Sequence, residues 1–273
     1  MKASSHDNLQ HTRYDAVVTG FYDADFGAVF GGDDRGDLSF LGSLAAGIGG
    51  NILEVGAGTG RALVPVAHAA PTAQVVGIEP SVAMRAQAQV RIEAAGASVT
   101  SRVTLMEGHF GDIGVPDGSQ DLVYTAFRSF QHVLTPAEQL AGLAEVRRVM
   151  RPGATLLLDL FDPDYRFLHD ADFQCVARYS GAGGTVIERF DARTIDRVAQ
   201  LVCVDFRWVE SDADGNVVAE HAGDYRIRYT FHWELQHLLA RAGFEIDVVY
   251  GAYDKTPLGP ESAEIIVLAR RAD

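Results

Sequence analysis

A chain of 273 residues, 47% of them hydrophobic, can form one large domain or one domain carrying a sizeable insertion. A formal charge of −14 opposes binding to nucleic acid or anionic lipid and leaves small molecules as the expected partners. The sequence has no apolar run long enough for a membrane span. The polar stretch from Met1 to Arg13 lacks the core of a secretion signal, and Cys175 and Cys203, the only cysteines, suggest a reducing cytoplasm rather than a disulfide framework.

The first fifty residues stand apart from any core strand. They carry Tyr14, Phe21, Tyr22, Phe26, Phe30 and Phe40, aromatic rings placed ahead of the sheet and able to close over a ligand as an N-terminal lid. The first strand, Asn51–Val55, runs straight into Gly56-Ala57-Gly58-Thr59-Gly60-Arg61. A helix is expected from about Arg61 to Ala70, then a second strand, Gln74–Glu79. Ser81 reads as the N-cap of the next helix, which runs to about Ala95. Val103–Glu107 is a third strand. After the turn Pro116-Asp117-Gly118 comes a fourth, Asp121–Phe127. Thr135 caps a helix that begins with Pro136 and ends near Met150. Arg147, Arg148 and Arg151 complement its dipole, Pro152-Gly153 breaks it, and Ala154–Leu160 is the fifth strand. This alternation predicts a parallel, doubly wound α/β sheet.

The alternation then stops. Val198–Val209 and Val217–Thr230 flank the turn cluster Ser211-Asp212-Ala213-Asp214-Gly215-Asn216 and predict an antiparallel hairpin, with a third strand at Val186–Ala192. Thr230 is expected to cap a helix from Phe231 to Ala242, ended by Gly243. Phe244–Tyr250 and Ala263–Arg270 complete seven core strands, the last antiparallel. The expected organisation is a lid segment at 1–50, a ligand-binding core at 51–160, a β-insertion over the substrate at 161–229, and completion of the core sheet at 230–273.

The chemistry lies at the strand ends. The glycines let the first turn approach a ligand without a side-chain clash. Glu79, at the tip of the second strand, is placed to accept both ribose hydroxyls of an adenosine ligand. A nicotinamide-binding turn would carry its last glycine where Arg61 stands, which argues against an NAD-dependent oxidoreductase. Glu54 followed by Gly-x-Gly-x-Gly resembles motif I of the class I S-adenosylmethionine (SAM) methyltransferases. Asp121-Leu122-Val123-Tyr124 and Arg151-Pro152-Gly153-Ala154 resemble later motifs of that family. The run from Phe127 to Val133 is similar to the segment after strand four in glycine and amino-sugar N-methyltransferases.

The resemblance implies a Rossmann-like seven-stranded methyltransferase sheet with an antiparallel β-insertion. It implies SAM as cofactor, S-adenosylhomocysteine as product, and a small-molecule acceptor. Its cofactor residues are Glu54, Gly56, Ala57, Gly58, Gly60 and Arg61 at the first turn; Glu79, Pro80 and Met84 after the second strand; Gly108, His109 and Phe110 after the third; and Ala126 and Phe127 after the fourth. Where the family often has Gly-Asp after the third strand, this chain has Gly108-His109, with Asp112 further on.

His132, whose imidazole titrates near neutrality, is the candidate base or else a wall of the pocket. Arg128 is placed to hold an acidic group of the acceptor or to pair with an acid of the insertion, and Tyr14 to act from the lid. Asp159 and Asp162 invite a metal reading. The acid that metal-dependent relatives place after the fourth strand is replaced by Ala126 and Phe127, so no metal is expected. His232 and His237 read as structural. The resemblance favours an amine nitrogen over a hydroxyl as acceptor. O-methylation with His132 as base, and SAM binding for a non-methylating purpose such as cyclisation, remain the alternatives. A homo-oligomer is compatible with all of them.

Overall fold

The structure is a computed structural model that describes residues 17–31 and 35–272. The elements in chain order are α1 (Thr19–Phe30), α2 (Asp37–Ile48), β1 (Asn51–Val55), α3 (Leu63–Ala69), β2 (Gln74–Ile78), α4 (Val82–Ala94), the short α5 (Ala97–Thr100), β3 (Val103–Met106) and β4 (Gln120–Thr125). A 3-10 turn at Ser129–His132 leads to α6 (Pro136–Val149), β5 (Met150–Phe161), β6 (Ala171–Ser180), β7 (Val186–Asp196), β8 (Leu201–Ser211) and β9 (Val217–Arg228). Then come α7 (His232–Arg241), β10 (Phe244–Tyr250) and β11 (Glu264–Arg271). The chain divides into two compact units, one of residues 36–164 with 228–273, the other of residues up to 35 with 165–227.

The larger unit is built on one seven-stranded sheet in the order β10-β11-β5-β4-β1-β2-β3. Strands β1 to β5 pair in parallel, and β11 runs antiparallel to both β5 and β10. The parallel strands are near-continuous apolar runs because helices cover both faces. Leu53, Val55, Val123, Leu156 and Leu158 turn to one buried cluster, and Ile52, Leu122, Tyr124 and Leu157 to the other. Ser81 caps α4 as expected, its hydroxyl accepting the Met84 amide at 3.1 Å. Thr135 and Glu138 form a reciprocal capping box at α6, with Pro136 in the first turn.

Three local expectations are corrected here. Pro152-Gly153 does not separate the helix from a later strand: α6 ends at Val149 and β5 begins at Met150, which already pairs with Gln120. Thr230 does not cap α7. The N-cap is Phe231, without a side-chain bond, and the buried Thr230 hydroxyl instead accepts from Arg228 at 3.2 Å. Arg147 and Arg148 stand in the last turn of α6 as expected, but Arg151 lies beyond the helix, in β5. Arg148 pairs with Glu145 and Asp117, Arg151 with Asp121, and Arg147 donates to the carbonyls of Gly243 and Ala272.

The smaller unit contains α1 and a four-stranded antiparallel sheet in the order β6-β7-β8-β9. The predicted hairpin and third strand are there, with an additional strand, β6, on the edge. Only one of the ten β6 residues is buried, so no apolar alternation announces it. The unit's core is Val18, Ile187, Val204, Phe206 and Trp208, with Phe21 of α1 stacked on Trp208 at 4.7 Å. Asp25 of α1 lies buried between the Tyr179 hydroxyl (2.6 Å), the Trp208 indole N–H (2.9 Å) and Arg189 (3.0 Å). Arg189 in turn grips Asp191 and lies over the Phe206 ring. Among the described residues, no helix is long and apolar enough to cross a membrane.

Candidate active site

The strand order puts a switch point between β1 and β4, since the chain leaves β1 toward β2 and β3 and returns to the other side at β4. In open α/β sheets, ligands bind in the crevice beyond the carboxyl ends of such a pair. Glu54, the glycine turn and Glu79 approach that crevice from one side, and Ala126 to His132 from the other.

Each glycine of the turn answers a different demand. A Cβ at Gly56 would stand 2.7 Å from the Cβ of Ser129, so the two loops touch there. A Cβ at Gly60 would stand 3.3 Å from the Cα of Ala88, so α4 packs directly on the turn. At Gly58 the backbone has φ +54° and an added Cβ would meet nothing within 4 Å. The turn therefore opens at Gly58, where a ligand can lie against bare backbone.

Glu79 is mostly buried, and each carboxylate oxygen accepts a backbone amide at 2.9 Å, one from Gly58 and one from Ser81. A carboxylate offers about four acceptor sites, so two amides orient it and are compatible with hydroxyls arriving from a ligand. Arg85 donates to the Glu79 and Pro80 carbonyls and to Glu107, tying together the tips of β2 and β3. Pro80 is exposed and Met84 buried.

Glu54 is buried and accepts the hydroxyl of Tyr124 at 2.9 Å. Burial pushes its carboxyl up to about 8, against the pull of Tyr124 and Arg61 and with help from Glu79. Burial and the Glu54 carboxylate together hold the Tyr124 phenol well above its ordinary value. Arg61 forms a buried ion pair with Asp37, the first residue of α2, and lies 5.9 Å from the centre of the Phe127 ring.

On the β4 side, Phe127 and Arg128 have φ +46° and +70°, a left-handed pair uncommon for non-glycine residues. The Phe127 amide donates to Asp159 Oδ2 at 2.9 Å and the Arg128 amide to the Asp159 carbonyl at 3.1 Å. The Arg128 guanidinium lies over the rings of Phe127 and Phe161 and 3.5 Å from Glu264 of β11, an acid of the core sheet and not of the insertion. The Ser129 hydroxyl sits between the carbonyls of Ala126 (2.8 Å) and Gly56 (3.2 Å) and joins the two sides of the crevice. His132 closes the 3-10 turn with its side chain exposed.

After β3, Gly108 is buried and His109 exposed, with its Nδ1 accepting the Gly111 amide at 2.9 Å. That contact leaves the ring proton of a neutral His109 on Nε2. The Phe110 ring packs edge-on against Phe130 in the core, so Phe110 offers a ligand its backbone and not its ring. Tyr14 lies outside the described residues; Tyr22 of α1 is half-buried and faces Phe26. The residues gathered around the crevice that sequence reasoning did not assign to the site are Asp37, Tyr124, Ser129 and Asp159. Tyr124 had a usable signal, since a tyrosine inside an apolar strand needs a partner for its hydroxyl.

An open seven-stranded sheet with this switch point, glycine turn and strand-tip carboxylate defines the Rossmann-like methyltransferase fold. Residues 52–153 match the family model described as a methyltransferase domain. It is similar to the ubiquinone/menaquinone biosynthesis C-methyltransferase UbiE of Syntrophotalea carbinolica, with 30% identity over 151 residues, 55% of this chain and 60% of that protein. The chain spans between 33% and 60% of the length of the curated relatives it matches. Among solved structures, it superposes on the CcbJ methyltransferase of Streptomyces caelestis with TM-score 0.80 and 21% identity, covering 96% of this chain and 99% of that one. It also superposes on SAM-bound CalS10, an amino pentose methyltransferase of Micromonospora echinaspora, with TM-score 0.68 and 23% identity, covering 92% and 96%. At these identities the two structures bear on the fold.

Proposed function

We propose that this chain transfers the methyl group of SAM to a small polar acceptor, with an amine nitrogen favoured over a hydroxyl. The observation that carries the reading is the open glycine turn beside an oriented carboxylate: Gly58 faces empty space, and its own amide holds Glu79. A carboxylate acceptor beside bare backbone suits a ligand with a ribose diol. The amino pentose methyltransferase among the structural neighbours supports an amine acceptor.

When bound, SAM supplies an electrophilic methyl on a sulfonium, so the protein's task is chiefly to place the nucleophile in line. The Glu79 carboxylate takes the ribose hydroxyls, and the bare backbone at Gly58 admits the ligand. On the acceptor side, Phe127 and Arg128 form the wall of the site. The Arg128 cation, flanked by two rings and near Glu264, orients a polar group of the acceptor. An amine must only shed a proton. A hydroxyl needs a base, and the exposed imidazole of His132 on the carboxyl edge is the residue that favours this second reading.

Calorimetry with S-adenosylhomocysteine and with NAD tests the cofactor, and Glu79→Ala should weaken S-adenosylhomocysteine binding through loss of a charged acceptor. Tight NAD binding without S-adenosylhomocysteine binding would overturn the reading. Binding of SAM without methyl transfer to any amine or hydroxyl would leave a binding or cyclising role. His132→Ala separates the two acceptors. A loss of turnover of roughly a hundredfold, with the pH–rate limb near the histidine pKa gone, marks a hydroxyl acceptor. An unchanged pH profile removes His132 as the base and favours an amine.

A further inference from the structure

Asp159 sits in β5 beside β4, 2% exposed, and gathers three donors, two on its carboxylate and one on its backbone carbonyl. Its Oδ2 accepts the Phe127 amide (2.9 Å), its carbonyl accepts the Arg128 amide (3.1 Å), and the Tyr253 hydroxyl reaches both carboxylate oxygens at 2.9 and 3.0 Å. Phe127 and Arg128 are the left-handed pair that follows β4. Backbone in such a conformation persists only where its surroundings over-determine it, and one residue here takes both amide protons. Tyr253 comes from the loop between β10 and β11, and its ring lies 6.3 Å from that of Phe40 of α2. The hydroxyl has a definite donor role, because an ionised carboxylate can only accept.

We infer that Asp159, held in place by Tyr253, is a positioning residue that sets the Phe127–Arg128 turn and through it the acceptor side of the site. The consequence for catalysis rests on the methyl-transfer reading; the hold on the turn does not. Asp159 touches neither ligand in this assignment. It acts through the direction in which Phe127 and Arg128 leave the sheet. The buried carboxylate is engaged by the Phe127 amide and the Tyr253 hydroxyl.

Asp159→Ala, Asp159→Asn and Tyr253→Phe test the inference in the full chain. The first readout is hydrogen exchange and the amide proton shift of Phe127 by NMR. Asp159→Ala and Tyr253→Phe should speed exchange at Phe127, whose acceptor is the Asp159 side chain, by roughly tenfold or more, while the β5 amides at Leu156 and Leu158 keep their protection. Asp159→Asn keeps one carbonyl oxygen and should restore part of the shift. The second readout is affinity for S-adenosylhomocysteine, expected to stay within about threefold of the parent. The third is turnover of the amino sugar that the parent methylates fastest in a screen. Here kcat/KM should fall by roughly 10- to 100-fold, as misplaced reacting groups require.

If Asp159→Ala does not fold, Tyr253→Phe carries the test, since it removes only an oxygen. A Phe127 amide unmoved in the variants overturns the hold on the turn. A moved amide with unchanged kcat/KM overturns its part in catalysis. A parent that neither binds S-adenosylhomocysteine nor methylates anything sinks the methyl-transfer reading instead, and the NMR result still decides whether Asp159 sets the turn.

Discussion

Gly58 is the residue at which the two demands on the glycine turn can be separated. Its φ of +54° disfavours a β-branched residue, yet an added Cβ meets no protein atom within 4 Å. Gly58→Val should therefore fold, at a stability cost of about 1–2 kcal/mol, and lose S-adenosylhomocysteine binding in calorimetry. Normal binding by this variant would remove the turn as the cofactor cradle. Glu54 makes a second prediction. Its carboxyl has an ordinary value of 4.5 and stands near 8 in the fold. Between these values the folded protein keeps a proton that the unfolded chain has released. Ligand-free stability should thus fall as pH rises from 4.5 toward 8, by at most about 1.4 kcal/mol per pH unit, and level off outside that window. Glu54→Gln keeps an acceptor for Tyr124 and cannot ionise, so it should lose this component of the slope. Denaturant unfolding of both proteins at pH 5, 6, 7 and 8 decides it, and equal slopes would exclude Glu54 as the group. The turn and Glu79 were legible in the sequence because their spacing is local. The partners of Tyr124 and Asp159 were not, because Glu54 and Phe127 lie 70 and 32 residues away along the chain.

The elements read from the sequence are those whose pattern carries their burial. β1 and β10 have the predicted bounds, because apolar runs flanked by glycine are unambiguous. The 3-10 turn and β6 escape such reading: one is too short for a period and the other an edge strand with nine of its ten residues at least partly exposed. Helix α1 contains Gly20 and Gly27, poor helix formers, and is held by tertiary contact instead. Its anchor is Asp25, whose pKa is raised by burial in spite of Tyr179, Arg189 and Trp208. Asp25→Ala would leave the Trp208 indole without this partner and take from Arg189 one of its two carboxylates. Removing one side of a buried ion pair costs about 3–5 kcal/mol, and the surviving Asp191 contact should keep the loss near the lower figure. In a Trp233→Phe background, where Trp208 is the only tryptophan left, Asp25→Ala should red-shift the emission and expose α1 to limited proteolysis. Unchanged emission and protease resistance would show that the stack of Phe21 on Trp208 holds the helix without Asp25.

At the scale of the whole molecule, the chain is two compact units with separate cores, and every described residue assigned to the cofactor belongs to one of them. A ligand that binds only the folded state stabilises the body that holds it by mass action. S-adenosylhomocysteine should therefore slow hydrogen exchange at Gly56–Arg61, Glu79–Arg85 and Ala126–Ser129, and raise the melting temperature of the unit formed by residues 36–164 and 228–273. The unit containing the four-stranded sheet has its own core and needs no ligand to keep it, so its amides at Ile187, Phe206 and Trp208 should exchange as before. The N-terminal segment makes a further, separable demand. If the aromatic segment closes over bound ligand, protection must also appear across Thr19–Phe30, and Tyr14→Phe or Tyr22→Phe should lower turnover while the aromatic bulk remains. Protection confined to the glycine turn and the strand tips, with both tyrosine variants at full turnover, would reduce α1 to a structural partner of the insertion sheet and leave the site to the strand ends of the larger unit alone.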